Sequence, residues 1–176
     1  MLLKKIPLDG AYEIECLPKK DERGSFVRFF CQKSLSKLFS NTKIVQINSS
    51  YSRLAGTVRG LHFQSSPSLE NKFIRCIKGK IFDVIVDLRE ESKTFGKSHS
   101  VILDSKKMNM IFVPTGFAHG FQTLVPHCEI LYLHTDYHNQ ELEKGYRYDS
   151  KDLKISWPIE VTQISDKDKK LEIFKY

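Results

Sequence analysis

Apolar and polar residues alternate along much of the chain, a pattern typical of β-strands rather than helices. In the segment 81–88, apolar residues alternate with Asp83 and Asp87, and a period of two places the two kinds of residue on opposite faces of a strand. The segments 108–113 and 130–137 alternate in the same way. Glycine and proline residues between these runs predict turns.

Helix signals are few. Ser34–Phe39 predicts a short amphipathic helix, and the tail Asp166–Lys175, which begins with acidic residues, predicts another. Many short strands with few helices indicate an antiparallel sandwich or barrel. We therefore expect an all-β fold, a cupin-type double-stranded β-helix (jelly-roll barrel) with a few short peripheral helices. No repeat or linker interrupts the chain, which predicts a single domain over residues 1–176.

The composition is that of a soluble globular protein, with 40% hydrophobic and 28% charged residues. No run approaches the ~18 apolar residues of a membrane span, and Met1–Pro7 lacks the features of a signal peptide. The four cysteines have no CxxC spacing, which favours reduced thiols over disulfides or a zinc site. These features predict a cytoplasmic protein without a membrane partner.

The chain is basic, with a formal net charge of +7. The lysines and arginines are spread along the sequence and form no stripe with interleaved aromatic residues. Most of this charge is therefore expected on a solvated surface, and a few of the cations suffice for an anionic small ligand. Nucleic-acid binding is not expected.

Three segments combine ionisable side chains with turn-forming residues or strand alternation. They are 56–64, which contains His62; 114–121, in which His119 stands beside aromatic residues and between glycines; and 128–132. Taken one at a time, such residues have structural explanations. A lone histidine is usually hydrogen-bonded within the fold, and a buried tyrosine usually belongs to the core.

The strand predicted around His62 bears on metal binding. Regular alternation would place Arg59 and Leu61 on one face and His62 and Gln64 on the other. The metal-binding cupin pattern needs two histidines separated by one residue, and Gln64 occupies the second of these positions. His119 alone does not complete a ligand set. We therefore expect neither a metal nor another cofactor.

An ordered series of motifs extends over nearly the full chain: Asp21-Glu22-Arg23-Gly24-Ser25-Phe26, Gln46-Ile47-Asn48-Ser49-Ser50, Arg59-Gly60-Leu61-His62-Phe63-Gln64, Asn71-Lys72-Phe73-Ile74-Arg75-Cys76, Asp83 to Arg89, Ser92 to Gly96, Pro114 to Phe121, Ile155-Ser156-Trp157-Pro158 and Ser165-Asp166-Lys167-Asp168. One such match would be weak, whereas the series is specific. Together these segments resemble the dTDP-4-dehydrorhamnose 3,5-epimerase family.

The resemblance implies an enzyme that inverts C3 and C5 of a nucleotide-linked 4-keto-6-deoxy sugar, converting dTDP-4-dehydro-6-deoxyglucose to dTDP-4-dehydrorhamnose. By likeness His62 is the base, Asp168 orients and polarises it, and Tyr132 returns a proton from the opposite face. Lys72 would lie near the enolate oxygen, although a lysine on a strand is ordinarily a solvated edge residue.

Binding roles also follow from the resemblance. Arg23 and Arg59 resemble diphosphate contacts, and Phe26 resembles an aromatic residue that reaches the site of a neighbouring subunit, so a homodimer is expected. Polar contacts to the sugar or nucleotide are expected from Gln46, Asn48, His119, Tyr137 and His138.

Three positions depart from the family pattern. Arg28 stands where an acidic residue is usual, Asn71 where glutamine is common, and His138 where the second of two tyrosines is common. The last change bears on the choice of nucleotide and sugar. One alternative is therefore an epimerase acting at C3 or C5 only, on a GDP- or CDP-linked 4-keto sugar, including a heptose.

Further alternatives are a sugar 3,4-ketoisomerase, a non-catalytic sugar-nucleotide-binding cupin module and, last, a metal-dependent cupin oxygenase. A ketoisomerase would move the keto group as well as invert carbons, so the product separates it from an epimerase. A binding module would bind the sugar nucleotide without exchanging its protons with solvent.

Overall fold

The chain folds almost entirely into antiparallel β-strands. A computed structural model describes residues 1–38 and 43–176. Its strands are β1 (Leu2–Lys5), β2 (Tyr12–Glu15), β3 (Lys19–Asp21), β4 (Gly24–Phe26), β5 (Gln46–Ser52), β6 (Val58–Gln64), β7 (Lys72–Lys78), β8 (Lys80–Asp87), β9 (Ser98–Asp104), β10 (Asn109–Val113), β11 (Phe117–Thr123), β12 (Cys128–His134) and β13 (Glu143–Gly145).

Two large sheets and one small hairpin contain all of these strands. One sheet has the order β1-β2-β10-β7-β12-β5, the other has the order β13-β6-β11-β8-β9, and β3 pairs only with β4. Neighbours that are distant in sequence, such as β2 with β10 and β6 with β11, pair antiparallel. This is the jelly-roll architecture predicted from the alternation.

The alternating strands bury both of their faces, because each sheet has a core on either side. Ile81 and Ile85 of β8 belong to the cluster shared by the two sheets. Phe82, Val84 and Val86 of the same strand pack outside the five-stranded sheet against the C-terminal part of the chain. The predicted division of this strand into two faces is confirmed, and the two aspartates are buried like their neighbours.

The helices are short. A single 3₁₀ turn at Ser36–Leu38 lies within the segment predicted as helical from Ser34 to Phe39, and Phe39 itself lies outside the described residues. The C-terminal helix α1 is limited to Asp166–Lys169, so the prediction of a helix reaching Lys175 is wrong. A second 3₁₀ turn spans Lys151–Leu153. No helix within the described ranges is long and apolar enough to span a membrane.

Strand β6 contains an irregularity that changes which side chains share a face. His119 pairs with His62 and Phe121 pairs with Arg59, so β6 has one more residue than β11 between these pairs. As a result Arg59 and His62 line the same cavity, whereas Leu61 packs outside the sheet. The prediction that Arg59 and Leu61 share a face opposite His62 is therefore wrong.

A glycine is required at this irregularity. Gly60 has φ +105°, a backbone conformation that residues other than glycine rarely adopt. A Cβ added there would lie 2.6 Å from the carbonyl oxygen of His119. The glycine therefore allows β6 to approach β11 closely, and with that approach His62 is held opposite His119.

Candidate active site

A cavity of about 590 Å³ opens between the two sheets and is lined mostly by polar side chains. Its lining brings together residues far apart in the sequence, including the predicted site residues Gln46, Asn48, Arg59, His62, Lys72, His119, Tyr132, His138 and Asp168. Its volume lies within the ordinary range for small-molecule sites.

His62 and Asp168 form a hydrogen-bonded pair at this cavity. The Nε2 atom of His62 lies 2.8 Å from Oδ1 of Asp168, although the two residues are 106 positions apart. The His62 side chain is 32% exposed, whereas the Asp168 side chain is only 5% exposed. A carboxylate in this position sets the tautomer and orientation of the imidazole and stabilises its protonated form.

The backbone around Asp168 holds its carboxylate in place. Oδ2 accepts a hydrogen bond from the Gly60 amide at 3.1 Å, and Ser165 caps α1 by accepting from the Asp168 amide at 3.0 Å. Burial by itself would raise the pKa of Asp168, but the hydrogen bonds from His62 and Gly60 and the proximity of the His62 charge lower it below its ordinary value. The carboxylate is therefore ionised at neutral pH.

His119 is the centre of a second histidine–carboxylate pair. Its Nε2 atom lies 2.8 Å from Oδ2 of Asp83, and both side chains are almost completely buried. Burial raises the pKa of Asp83, and the proximity of His119 offsets this only in part. The ring of His119 meets that of Tyr132 edge-on, with the centroids 6.1 Å apart, so this pair lies against the predicted acid.

Tyr132 reaches the cavity from the sheet opposite His62. Its hydroxyl lies 3.0 Å from Oγ of Ser50 on β5. Burial raises the pKa of Tyr132, and the hydrogen bond with Ser50 opposes this rise only weakly. The phenol therefore keeps its proton throughout the neutral range and can donate it.

Lys72 is part of a third ionic group on the same wall as Tyr132. Its Nζ atom lies 3.2 Å from Oε2 of Glu70, and Oε1 of Glu70 lies 2.7 Å from Nδ1 of His134. The Lys72 side chain is only 12% exposed, so it is not the solvated edge residue that its strand position alone would suggest.

Arg59, Gln46 and His138 line the cavity, and β5 contributes to the contacts of all three. Nη2 of Arg59 donates to the carbonyl of Tyr51 at 3.0 Å. Oε1 of Gln46 accepts from the His138 amide at 3.1 Å. Because Arg59 is exposed and lines the cavity, its guanidinium has access to a ligand there.

Three predicted binding residues lie away from the cavity of their own chain. Arg23 is at the tip of the β3–β4 hairpin, where its side chain is 85% exposed and pairs with Asp21 at 2.7 Å. Phe26 is 69% exposed, and Tyr137 also 69%. Tyr137 contributes its backbone carbonyl, which accepts a hydrogen bond from Gln64 at 3.2 Å. None of the three lines the cavity.

The sequence patterns did not identify several residues that line the cavity, chiefly Glu70, His134, Glu143 and Lys167. His134 alternates with Tyr132 on β12, and Glu70 stands two positions before Lys72, so their proximity to predicted residues was a usable signal. Glu143 and Lys167 form a 2.8 Å ion pair between β13 and α1, which periodicity alone does not reveal. Within residues 1–38 and 43–176, no cluster of three or more histidine, cysteine or acidic residues is arranged to hold a metal ion.

Comparison with known proteins gives consistent results. Residues 5–176 match the family model described as dTDP-4-dehydrorhamnose 3,5-epimerase. The enzyme of that name from Methanothermobacter thermautotrophicus is 39% identical over 168 residues, which cover 94% of this chain and 90% of the relative. The crystal structure of the same enzyme from Elizabethkingia anophelis matches with a TM-score of 0.94 at 36% identity, over 99% of this chain and 96% of that one.

A structure with a bound sugar nucleotide is also similar. It is dTDP-6-deoxy-D-glucose-3,5-epimerase from Legionella pneumophila in complex with dTDP-4-keto-L-rhamnose, with a TM-score of 0.92 at 36% identity over 98% of this chain and 92% of that one. The family match extends over the strands that build the cavity as well as over α1, which carries Asp168. The chain therefore belongs to the dTDP-4-dehydrorhamnose 3,5-epimerase family and is an epimerase.

Proposed function

We propose that this enzyme inverts C3 and C5 of dTDP-4-dehydro-6-deoxyglucose to form dTDP-4-dehydrorhamnose, with His62 as base and Tyr132 as acid. One observation carries the proposal: His62, with its carboxylate partner, projects from the five-stranded sheet, and Tyr132 projects from the six-stranded sheet. Inversion at carbon requires a base and an acid on opposite faces of the substrate. A sugar ring between the two sheets meets this requirement.

The proton is removed by His62. The C4 ketone acidifies the protons on C3 and C5, because the carbanion formed at either carbon is delocalised as an enolate. Nε2 of His62 is engaged by Asp168, so Nδ1 is the nitrogen left to take the proton. The Asp168 carboxylate then stabilises the imidazolium that forms.

Lys72 stabilises the enolate and Tyr132 completes the inversion. A positive charge beside the developing oxyanion is most effective in a cavity from which water is largely excluded. Tyr132 keeps its proton because burial raises its pKa, and it delivers that proton to the face of the carbon opposite His62. Once His62 has released its proton to solvent and Tyr132 has regained one, the same cycle at the second carbon inverts the other centre.

The substrate's diphosphate is held by Arg59, whose planar guanidinium can contact two phosphate oxygens at once. The dTDP-4-keto-L-rhamnose bound by the Legionella relative supports a dTDP-linked sugar here. Gln46, Asn48, His119 and His138 supply further polar contacts from the cavity walls.

Arg23 and Phe26 act in a homodimer under this proposal. Their hairpin, β3–β4, pairs with no other strand of the chain in its described part, and all six of its strand residues are exposed. A protruding hairpin with an exposed phenylalanine and arginine suits insertion at the cavity of a second copy. We also place the enzyme in the cytoplasm, since its four cysteines are free thiols and reduced cysteines are usual there.

Deuterium exchange tests the proposed chemistry. In heavy water, the wild-type enzyme should incorporate deuterium at both C3 and C5, and NMR of the product should show both centres inverted. His62→Asn should abolish exchange at both carbons and retain nucleotide binding, because the substituted side chain can no longer act as a base.

His99→Asn is the matched control, because His99 also pairs with a carboxylate, Glu13 at 3.0 Å, but does not line the cavity. It should exchange normally. Normal turnover by His62→Asn would contradict the mechanism, and exchange at only one carbon in the wild type would make this a single-site epimerase. Parallel assays with GDP- and CDP-linked 4-keto sugars test the choice of nucleotide.

A further inference from the structure

Two basic side chains lie next to one another on the wall that carries Tyr132. Lys72 begins β7, His134 ends β12, and the antiparallel register pairs these two residues directly. Directly opposed residues have side chains on the same face about 4.5–5.5 Å apart. The two side chains are only 12% and 10% exposed, so water contributes little to satisfying their N–H donors. Together they can bind one anionic group placed between them.

Glu70 supplies that anion from the loop before β7. Its Oε1 lies 2.7 Å from Nδ1 of His134 and its Oε2 lies 3.2 Å from Nζ of Lys72. Each carboxylate oxygen thus holds one basic group. Burial opposes ionisation, but the hydrogen bond from His134 and the charge of Lys72 lower the pKa of Glu70 below its ordinary value. The carboxylate is ionised where both contacts form.

The contact with Glu70 also determines which ring nitrogen of His134 can accept a hydrogen bond from another neighbour. A neutral imidazole that donates from Nδ1 has an accepting lone pair on Nε2, and Nδ2 of Asn48 lies 3.4 Å from that atom. The His134 ring stacks on Tyr132 with the centroids 6.1 Å apart and the planes 24° apart. His134 therefore links the carboxylate to the proposed acid and to a proposed binding residue.

The backbone that carries Glu70 is fixed by the residue that follows it. The Asn71 amide donates to Oγ1 of Thr135 at 2.8 Å, and Oδ1 of Asn71 accepts from the Thr115 amide at 3.1 Å. These bonds tie the loop before β7 to the end of β12 and to the turn before β11. A carboxylate on so constrained a loop can hold its partners in one geometry.

We propose that Glu70 is a positioning residue of the active site, which holds the Lys72 ammonium and the His134 imidazole in their working positions through its two carboxylate oxygens. Glu70 acts through these two residues and takes no part in proton transfer. The effect on turnover rests on the proposed function, in which Lys72 contacts the enolate oxygen. The geometric part of the proposal stands independently of the substrate.

Kinetics of Glu70→Gln test the effect on turnover. Glutamine has nearly the same shape, but it lacks the charge and offers one acceptor oxygen in place of two. Misplacing a catalytic group by about 1 Å can cost on the order of 100-fold in rate. We therefore expect kcat to fall about 10- to 100-fold, with KM changed less than about threefold. Glu70→Asp, which keeps the charge, should recover part of the loss.

Glu129→Gln is the control, because Glu129 pairs with Lys78 at 3.5 Å across the same two strands but outside the cavity. It should have wild-type kinetics. In a double-mutant cycle, Glu70→Gln should cause little further loss of kcat when combined with Lys72→Ala, because its effect on kcat passes through Lys72. Additive losses, or an unchanged kcat in Glu70→Gln per folded molecule, would overturn the proposal.

A substrate-free measurement separates this proposal from the proposed function. In ¹⁵N-histidine NMR of the wild type, Nδ1 of His134 should carry a proton that it donates to Glu70, and Glu70→Gln should shift the His134 nitrogen signals while those of His99 stay in place. Unchanged His134 signals would refute the geometric role of Glu70. If instead these signals shift but Lys72→Ala retains full turnover, the role of Lys72 in the proposed function fails and the geometric role of Glu70 is supported.

Discussion

Four histidines line the cavity, and three of them have a carboxylate within hydrogen-bonding distance. His62 pairs with Asp168, His119 with Asp83 and His134 with Glu70. Such pairing determines which ring nitrogen is available and how easily the ring takes a proton. The most exposed of the three histidines is His62, and a base must reach its substrate. This difference in exposure supports the choice of His62 as base.

Tyr132→Phe should separate proton removal from inversion. His62 would still form the enolate, but the acid on the opposite face would be absent, so His62 itself would return a proton that had exchanged with solvent. We expect deuterium to enter the substrate without inversion, and turnover to product to fall on the order of 100- to 10,000-fold. NMR of the recovered sugar in heavy water measures both quantities.

Tyr51→Phe provides the comparison for this variant. Tyr51 lies on β5, and its hydroxyl contacts His127 away from the cavity, so its removal should leave inversion intact. Full inversion by Tyr132→Phe would assign the acid to another group.

Four residues that the resemblance grouped together lie at one place in the fold, although they are far apart in the sequence. His62, Lys72, Tyr132 and Asp168 were expected to act together and all line one cavity. Arg23 and Phe26 came from the same resemblance and lie on an exposed hairpin. The resemblance implied a role at a neighbouring subunit for Phe26 but gave Arg23 only as a diphosphate contact, so the position of Arg23 outside the cavity of its own chain was not predicted.

At the scale of elements, the turn that follows β8 is organised by one buried carboxylate. Asp87 accepts hydrogen bonds from Arg89 at 2.9 and 2.8 Å and from the hydroxyls of Ser92 and Thr94 at 2.6 Å each. Burial alone would raise its pKa, but these bonds lower the pKa of Asp87 to about 2. The alternation of residues 81–88 predicted the strand, whereas this network depends on the turn folding back onto it.

Asp87→Asn should destabilise the protein in a pH-dependent way. The folded-state pKa of about 2 is below the unfolded value of about 3.9. The stabilisation is therefore complete above the unfolded pKa and is lost as the pH falls through the folded pKa. We expect the variant to lose roughly 2 kcal/mol of unfolding free energy at pH 7. The difference in unfolding free energy between the variant and the wild type should narrow from pH 4 to pH 2. Urea denaturation of both proteins from pH 7 to pH 2 measures this difference.

Asp21→Asn serves as the control, since Asp21 also pairs with an arginine two residues away but in an exposed hairpin. Ion pairs in such positions contribute little to stability, so no measurable loss is expected. A constant gap between Asp87→Asn and the wild type at all pH values would contradict the assigned ionisation.

At the scale of the whole molecule, the proposed dimer makes each site depend on two copies of the chain. In this proposed arrangement, the cavity and its histidine–carboxylate pairs come from one copy, and the β3–β4 hairpin with Arg23 and Phe26 comes from the other.

Complementation between two inactive variants tests this exchange. One variant carries Arg23→Ala and Phe26→Ala, and the other carries His62→Asn. A mixed dimer contains one cavity with an intact base and an intact hairpin from its partner. After subunit exchange in an equimolar mixture, about a quarter of the wild-type activity should return, since about half of the dimers are mixed and each has one complete site.

Each variant incubated alone is the control and should stay inactive. If the hairpin served its own chain, no site in the mixed dimer would be complete and the mixture would also stay inactive. Sedimentation of each variant checks that dimers still form.

The amino-acid sequence by itself determined the class of fold and the principal chemical groups. Alternation with a period of two is a local property, and it holds wherever a strand has two distinct faces. It therefore predicted strands in both sheets, among them β8, β10 and β12, and the resemblance carried by the ordered motifs implied a histidine base with a carboxylate, a lysine and a tyrosine. Helix α1 was predicted too long because an acidic start indicates where a helix begins and says little about where it ends.

Only the tertiary structure decided which of these groups meet. Strand register brought Lys72 opposite His134, and the extra residue in β6 placed Arg59 on the same side as His62. Chain folding over 106 positions brought Asp168 to His62. Each of these contacts depends on how segments distant in sequence are aligned, and a one-residue change in alignment reverses every face. The resemblance identified His62 as the base, whereas the strand register determined which residues lie around it.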